Sequence, residues 1–211
     1  MGKIADIYKS VMGHAEFVLG GWKYNPDELI VLCMHSTPSD RIEAFSRLTD
    51  QLLKHFKPLH PTQLDAYYRN ELQGGPYVLF TFDDGLGNNL HVAKYLAGRG
   101  IGAFFFLVPD FISSTEQIAY YRGNIRQVID PSFDKLEEDF SAMTIEDVKY
   151  LLSLGHMIGS HTMSHLMRAT SDPAHVKREV VESKQLLSEW FQLDVSSFCS
   201  VIQTTFSVNA L

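Results

Sequence analysis

The chain has 211 residues, which is enough for one domain with a sizeable core or at most two small ones. Hydrophobic residues make up 45% of the chain and charged residues 20%, which is typical of a globular chain and not of a disordered one. The net charge of −7 and the lack of a clustered basic run argue against nucleic acid as a partner.

Residues 1–27 are predicted to be an N-terminal extension of a single domain that covers residues 28–211. The extension lacks the continuous apolar segment of a secretory signal, and no segment of the chain approaches the length of a membrane span. These features favour a cytoplasmic location. The two cysteines, Cys33 and Cys199, are too few for a disulfide framework. Cys33 lies in an apolar run and is expected to be a small buried residue.

Strand-like and helix-like segments alternate from residue 28 onwards. The first half is predicted to contain a buried strand (28–35), an amphipathic helix (40–56), a second helix (62–72), a buried strand (77–82) and a helix with an asparagine cap (88–100). Thr62 and Asp65 form a capping-box pattern at the start of the second helix.

The second half continues the alternation. It is predicted to contain a third strand (101–108), an irregular stretch (110–142), a helix (143–155), a short strand (156–161), a long helix (172–191) and a last strand (194–201). Thr144 with Asp147, and Asp172 with Pro173, are typical of helix starts. Continuous apolar strands separated by helices predict an α/β protein with a parallel sheet covered by helices.

Polar residues follow three of the predicted strands. His35 ends the first strand, Asp83 and Asp84 end the second, and His161 ends the strand 156–161. Because chemistry in parallel α/β folds gathers at the carboxyl ends of strands, these side chains are candidates for a functional site.

Asp83 and Asp84 are adjacent carboxylates at the end of a buried strand. They repel each other unless a cation or a shared proton relieves the repulsion. A metal does so if one carboxylate binds it and the other stays free, and Gly85 allows the tight turn that such a site needs. The Asp-Asp-Gly sequence is also ordinary turn chemistry, so the pair alone leaves a plain turn open.

His161 and His165 lie four residues apart, which can place both imidazoles on one side of a turn or helix. Two surface histidines in a loop are the alternative. Thr162, and not glutamate, follows the first histidine, so the metalloprotease pattern is absent. With one aspartate, the two imidazoles make a three-ligand site with open positions, which is the layout of a catalytic metal.

The segments TFDDG (81–85) and HTMSH (161–165) resemble the first two motifs of the polysaccharide deacetylase family, also known as carbohydrate esterase family 4 or the NodB-homology domain. The AFFFLV strand and the LCMHS segment before the first motif are similar to that family too. The likeness covers about residues 28–199. It implies an irregular or incomplete (β/α) barrel.

The resemblance implies a role for each matching residue. Asp84, His161 and His165 would hold a divalent metal, with zinc as the expected ion, although such O,N,N sites accept other ions. Asp83 would be the general base that removes a proton from the attacking water. The implied reaction is metal-dependent hydrolysis of the N-acetyl amide of an acetylated amino sugar, in a polymer or in a lipid- or nucleotide-linked precursor. The hydrolysed bond is a carbon–nitrogen bond other than a peptide bond.

The sequence departs from the family pattern after about residue 199. The family places a third motif there and a general-acid histidine later, and residues 197–211 (SFCSVIQTTFSVNAL) match neither. The barrel is therefore expected to lack its last strands and to expose a sheet edge. One hypothesis is a truncated or frame-shifted deacetylase. The other is a natural short variant that a partner chain or residues 1–27 would complete.

Two other functions stay open at this point. The first is a catalytically impaired or non-catalytic deacetylase relative that still holds metal or sugar. The second is another metal hydrolase, such as a phosphoesterase, but the sequence offers no further carboxylates in register for it. Among the remaining histidines, His35 is a candidate for the rim of the site, His91 is expected to be solvated or packed, and His156 to be a hydrogen-bonded structural residue. The segment Phe104–Phe106 is expected to be core.

Overall fold

The structure, a computed structural model, describes residues 27–125, 140–166 and 172–201. Its strands form one five-stranded sheet, in the order β1-β3-β4-β5 with β2 beside the start of β3, and every pair is parallel. The strands are β1 (Leu29–Met34), β2 (Lys57–Pro58), β3 (Tyr77–Phe82), β4 (Ala103–Leu107) and β5 (Met157–Ser160). Within the described residues this sheet stays open, which confirms the predicted α/β fold of an incomplete barrel.

Helices connect the strands. They are α1 (Ile42–Leu52), α2 (Leu64–Tyr68), α3 (Leu90–Ala97), α4 (Pro109–Ser113), α5 (Gln117–Tyr120), α6 (Ile145–Ser153), α7 (Pro173–Val176) and α8 (Ser183–Phe191). Short 3-10 turns cover Ser39–Arg41, Pro61–Gln63 and Gly87–Asn89, and π-helical segments cover Tyr121–Ile125 and Lys177–Glu182. None of the described helices has the length and apolarity that crossing a bilayer requires.

The centre of the sheet is the core. Every residue of β3 and of β4 is buried. The rings of Phe82 and Phe105 stack 4.7 Å apart on one face, and those of Phe104 and Phe106 stack 5.3 Å apart on the other. The expectation that Phe104–Phe106 is core is therefore confirmed. Strands covered on both faces need apolar side chains throughout, which explains why these two runs do not alternate.

The prediction that β1 is buried is wrong. Its residues alternate between half-buried and exposed, with Val31 51% exposed, and Cys33 is exposed as well. β1 pairs with β3 along one side and forms an edge of the described sheet. An apolar run in the sequence does not reveal whether both faces of a strand are covered, and for this edge strand the described structure leaves one face open.

Two of the four predicted helix caps form, at Thr144 and Asp172, whereas Asn89 before α3 makes no side-chain capping hydrogen bond. The Thr144 hydroxyl accepts a hydrogen bond from the Asp147 amide at 3.1 Å, and the Asp172 carboxylate accepts one from the Ala174 amide at 3.1 Å. The predicted cap at Thr62 is wrong. His60 is the cap instead, because its ring nitrogen accepts from the Thr62 amide while the Gln63 side chain accepts from the His60 amide.

The last predicted strand, 194–201, is reduced to one parallel bridge between Ser160 and Phe198. The Ser160 amide donates to the Ser197 carbonyl at 3.0 Å, and the Cys199 amide donates to the Ser160 carbonyl at 2.9 Å. This short segment therefore lies beside the outer edge of β5. The expectations about the N-terminal extension and about the final ten residues fall on 1–26 and 202–211, which lie outside the described residues.

Candidate metal site

The structure brings together the four residues that the sequence singles out. Asp83 and Asp84 follow β3 directly, His161 follows β5, and each of the four side chains, His165 included, belongs to a residue at most 7% exposed. The Asp84 Oδ1 atom lies 3.2 Å from His165 Nε2 and 3.7 Å from His161 Nε2. One buried carboxylate oxygen therefore faces two imidazole nitrogens at the carboxyl end of the sheet.

The turn after β3 sets the direction of the Asp84 carboxylate. The Asp83 amide still donates to the Met34 carbonyl at 2.8 Å, so the pairing of β3 with β1 extends as far as Asp83. The chain then turns through two left-handed residues, Asp84 with φ 73° and Gly85 with φ 76°. Aspartate tolerates this backbone conformation better than most residues do. A side chain at Gly85 would meet Leu107, because an added Cβ would lie 3.0 Å from its Cδ2 atom.

The segment 161–165, called the histidine loop below, also contains left-handed residues. Thr162 has φ 65° and His165 has φ 60°. Together with Asp84 they make three of the five positive-φ residues other than glycine in the described ranges. Each such conformation costs about 1–3 kcal/mol and persists only where surrounding contacts hold it. The concentration of this strain around one carboxylate is typical of a functional site.

Both imidazoles are held in one tautomer. The Nδ1 atom of His161 lies 3.0 Å from the Cys199 carbonyl oxygen, and that of His165 lies 3.2 Å from the Asn124 carbonyl oxygen. Because a carbonyl oxygen only accepts, each Nδ1 carries the proton, and in the neutral ring Nε2 presents a lone pair. This arrangement is the usual outer support of metal-binding histidines.

The lone pairs and the carboxylates form a cluster that could hold a cation. Burial lowers the pKa of His161, which keeps its ring neutral at physiological pH. The Oδ1 atoms of Asp83 and Asp84 are buried and have no hydrogen-bond partner among the described residues. Buried carboxylate oxygens without partners are costly, and a metal ion satisfies them. The ligand atoms of Asp84, His161 and His165 all lie within 4.8 Å of one another, so this O,N,N set fits a divalent metal.

Asp83 has a different environment from Asp84. Its Oδ2 atom accepts a hydrogen bond from the Cys33 thiol at 3.2 Å and lies 3.9 Å from His161 Nε2. Although Cys33 is exposed as a residue, partial burial of its thiol and the charge of Asp83 raise its pKa to about 12. The thiol therefore stays protonated and donates to Asp83. The two neighbouring carboxylates differ because Asp84 faces both imidazoles, whereas Asp83 is held from the side by Cys33.

Glu179 supports the histidine loop, although it is not among the residues predicted for the site. Its carboxylate is buried and accepts three hydrogen bonds of 2.9 Å, from the Met163 amide, the Ser164 amide and the Ser164 hydroxyl. Arg178 donates to the same carboxylate at 2.7 Å and also to Asp110 at 2.7 Å. Burial raises the pKa of Glu179, but the bonds from Ser164 and the charge of Arg178 outweigh it and hold that pKa below its ordinary value.

A sequence signal for Glu179 existed in the helix periodicity. Glu179, Ser183 and Leu187 are spaced four residues apart and all are buried, so they mark the inner face of the π-helical segment and α8. A glutamate on the inner face of a helix is unusual unless it is paired. The metal-site histidines and this glutamate are brought together by the fold, since Glu179 contacts the two residues between Thr162 and His165.

The other histidines play lesser parts. His156 is buried, with Nδ1 accepting from the Ala103 amide at 3.2 Å and Nε2 donating to the Ala93 carbonyl at 2.9 Å, which confirms its structural role. His91 is exposed on α3, as expected. His35 is exposed beyond the end of β1, and its carbonyl accepts from the Asn89 side chain at 2.9 Å.

Comparison with known proteins gives a consistent result. A model of the polysaccharide deacetylase family matches residues 71–200. The solved structure of IcaB from Ammonifex degensii is 21% identical with a TM-score of 0.63, over 82% of this chain and 74% of that one. The deacetylase domain of BpsB from Bordetella bronchiseptica is 16% identical with a TM-score of 0.58, over 85% of this chain and 81% of that one.

A third structure extends the likeness. It is the deacetylase PplD from Streptococcus pyogenes in complex with acetate, 15% identical with a TM-score of 0.57, over 81% of this chain and 71% of that one. At these identities the structural likeness shows the fold alone. The family model reaches from the residues before β3 to the segment beside β5, and so it spans Asp83, Asp84, His161 and His165.

Proposed function

Since the chain belongs to the polysaccharide deacetylase family, we propose that it hydrolyses the N-acetyl group of an acetylated amino sugar with a divalent metal at Asp84, His161 and His165. The observation that supports this proposal best is the single buried Asp84 oxygen that faces two Nε2 lone pairs. Zinc is the ion that we propose, because imidazole nitrogens with one carboxylate suit it.

A metal at this site would polarise the amide carbonyl and lower the pKa of a water molecule. The residues around it orient the ligands. The Cys199 and Asn124 carbonyls keep the Nδ1 protons of His161 and His165 in place, so that both Nε2 atoms point inward. The left-handed turn at Asp84 and Gly85 keeps the carboxylate facing them.

Asp83 is the residue to which we assign proton transfer. Its Oδ1 atom has no hydrogen-bond partner among the described residues, so it can take a proton from the attacking water. The Cys33 thiol holds the other oxygen and fixes the orientation of the carboxylate. When the amide carbon–nitrogen bond breaks, the amine needs a proton. We propose that Asp83 returns the one that it took, which balances the hydrolysis.

The substrate in this proposal is an N-acetylated carbohydrate. The substrate is a polymer or a lipid- or nucleotide-linked precursor, because both kinds of molecule carry the amide and the amino sugar. A cytoplasmic location remains a prediction.

Metal content and acetate release test the proposal together. We expect the purified protein, supplied with zinc, to hold about one metal ion per chain and to release acetate from a short N-acetylglucosamine oligomer. His165→Ala should lose metal binding at the set of Asp84, His161 and His165, together with the activity. Asp83→Asn is the matched variant, since it should keep the metal and lose the activity.

The outcomes separate the competing functions. Metal without acetate release from any N-acetylated sugar would favour a non-catalytic relative that retains its metal. Failure of the wild-type protein to bind zinc would contradict the assignment of Asp84, His161 and His165. Full activity in Asp83→Asn would contradict the role of Asp83.

A further inference from the structure

Cys199 lies next to the candidate metal site, on the side of Asp83. Its Sγ atom, a carboxylate oxygen of Asp83 and a ring nitrogen of His161 all lie within 4.8 Å of one another. Two backbone hydrogen bonds hold this segment against β5. The Ser160 amide donates to the Ser197 carbonyl at 3.0 Å, and the Cys199 amide donates to the Ser160 carbonyl at 2.9 Å. The sheet therefore holds the backbone from which the thiol projects.

A second observation points to a ligand here. Asp83 is 5% exposed, and its Oδ1 atom has no hydrogen-bond partner in the described part of the chain. A metal ion both satisfies a buried carboxylate oxygen and displaces the proton of a thiol.

We propose that Asp83, His161 and Cys199 form a second metal position, which takes a thiophilic divalent ion such as zinc. It is distinct from the set of Asp84, His161 and His165, but the two share His161. Because the neutral ring of His161 has one nitrogen without a proton, the two positions exclude each other. The sulfur–metal bond forms as the S–H bond breaks, and the proton leaves to solvent.

The position has a consequence that rests on the proposed function. An ion held by Asp83 and Cys199 occupies the carboxylate that serves as the base, so the molecules that carry zinc at the second position are inactive. Thiolate ligands favour zinc over magnesium or calcium, which prefer oxygen ligands. The second position therefore distinguishes zinc from these ions more sharply than the O,N,N set does.

Cobalt(II) titration of the metal-free, full-length protein tests the proposal. A thiolate ligand gives a sulfur-to-cobalt charge-transfer band in the near ultraviolet, which oxygen and nitrogen ligands do not give. We expect this band in the wild type and its loss in Cys199→Ser. Cys33→Ser is the matched control, because it changes the other of the two cysteines and should keep the band. Zinc affinity at this position should fall about tenfold or more in Cys199→Ser.

His165→Ala separates this proposal from the proposed function. It removes a ligand of the first position only, so it should abolish acetate release and retain the cobalt–sulfur band. A wild-type protein without the band, or a band that survives in Cys199→Ser, would overturn the second position and leave the proposed hydrolysis untouched.

A measurement on the wild type alone covers the case in which Cys199→Ser does not fold. Zinc should slow alkylation of Cys199 by iodoacetamide, read by mass spectrometry, whereas magnesium, which prefers oxygen ligands, should leave the rate unchanged. Equal rates at Cys199 with and without zinc would contradict the proposal.

Discussion

Replacing Glu179 with alanine should loosen the loop that carries His161 and His165. The carboxylate accepts hydrogen bonds at 2.9 Å from the Met163 amide, the Ser164 amide and the Ser164 hydroxyl, and one at 2.7 Å from Arg178. Each hydrogen bond to a charged group is worth about 1.5–3 kcal/mol, but such values do not add. Removal of the carboxylate leaves the Met163 and Ser164 amides without their partner at about 1–3 kcal/mol each, so we expect Glu179→Ala to lose about 2–6 kcal/mol of unfolding free energy.

Glu179→Gln separates the hydrogen bonds from the charge. The amide oxygen can still accept from the Met163 and Ser164 amides, whereas the amide nitrogen faces Arg178 as a second donor. We expect a loss of about 1.5–3 kcal/mol for this variant. Urea unfolding of the metal-free protein measures both losses.

Metal affinity is the measurement that connects Glu179 to function. Outer residues that orient metal ligands typically change affinity by about 10- to 100-fold, and we expect a loss in this range for zinc in Glu179→Ala, with Glu179→Gln between it and the wild type. Glu182→Gln is the control, because it removes the partner of Lys177 from an exposed ion pair on the same π-helical segment. It should change the unfolding free energy by less than about 1 kcal/mol.

The acid dependence of the same variants gives an independent check. The pKa of Glu179 in the folded protein is lower than its ordinary value of 4.5. Its contribution to stability is therefore complete above that value and is lost as the pH falls towards the folded pKa. The stability difference between the wild type and Glu179→Gln should shrink below about pH 4.5. Unchanged zinc affinity in Glu179→Ala, or an equal loss in Glu182→Gln, would refute the reasoning.

Three other changes have defined outcomes. Asp83→Asn should lower the rate of acetate release about 100- to 10,000-fold with the metal content unchanged, as expected for loss of a general base. His156→Leu leaves the Ala103 amide and the Ala93 carbonyl without their partner in the core, so urea unfolding should show a loss of about 2–6 kcal/mol. Because burial lowers the pKa of His156 below 6.5, the wild type should lose stability as the pH falls from about 6.5 through the folded pKa, and His156→Leu should lack this part of the acid dependence. Gly159→Ala would place a Cβ atom 2.5 Å from the Phe106 ring, and the resulting overpacking should lower the melting temperature and cost about 1–3 kcal/mol.

Local patterns in the sequence predict most of the fold. β3 and β4 are continuous apolar runs, and each lies within one residue or two of its expected bounds. The caps at Thr144 and Asp172 depend on residues two or three positions away, so they too can be read from the sequence. The cap at His60 could not be read in this way, since histidine is not a common cap and its ring also reaches the Gly155 carbonyl at 3.1 Å.

The candidate site was predicted in part. Asp83, Asp84, His161 and His165 could be named because each stands at or near a strand end and matches a motif. The tautomers of the two imidazoles depend on the carbonyls of Cys199 and Asn124, which no local pattern indicates. The exposure of β1 and the hydrogen bonds from the histidine loop to Glu179 depend on contacts between distant segments. Such contacts are set by the complete fold.

The segment beside β5 links the sheet edge to His161, a proposed metal ligand. The Cys199 amide donates to Ser160, while the Cys199 carbonyl accepts from His161. The peptide group before Cys199 therefore contacts the outer edge of the sheet, and the peptide group after it contacts the imidazole. We expect the Cys199 amide to exchange slowly with deuterium, and to exchange more slowly still when His161 binds an ion. The exchange rate of this one proton would then report whether the site is occupied, without a substrate or a coloured metal.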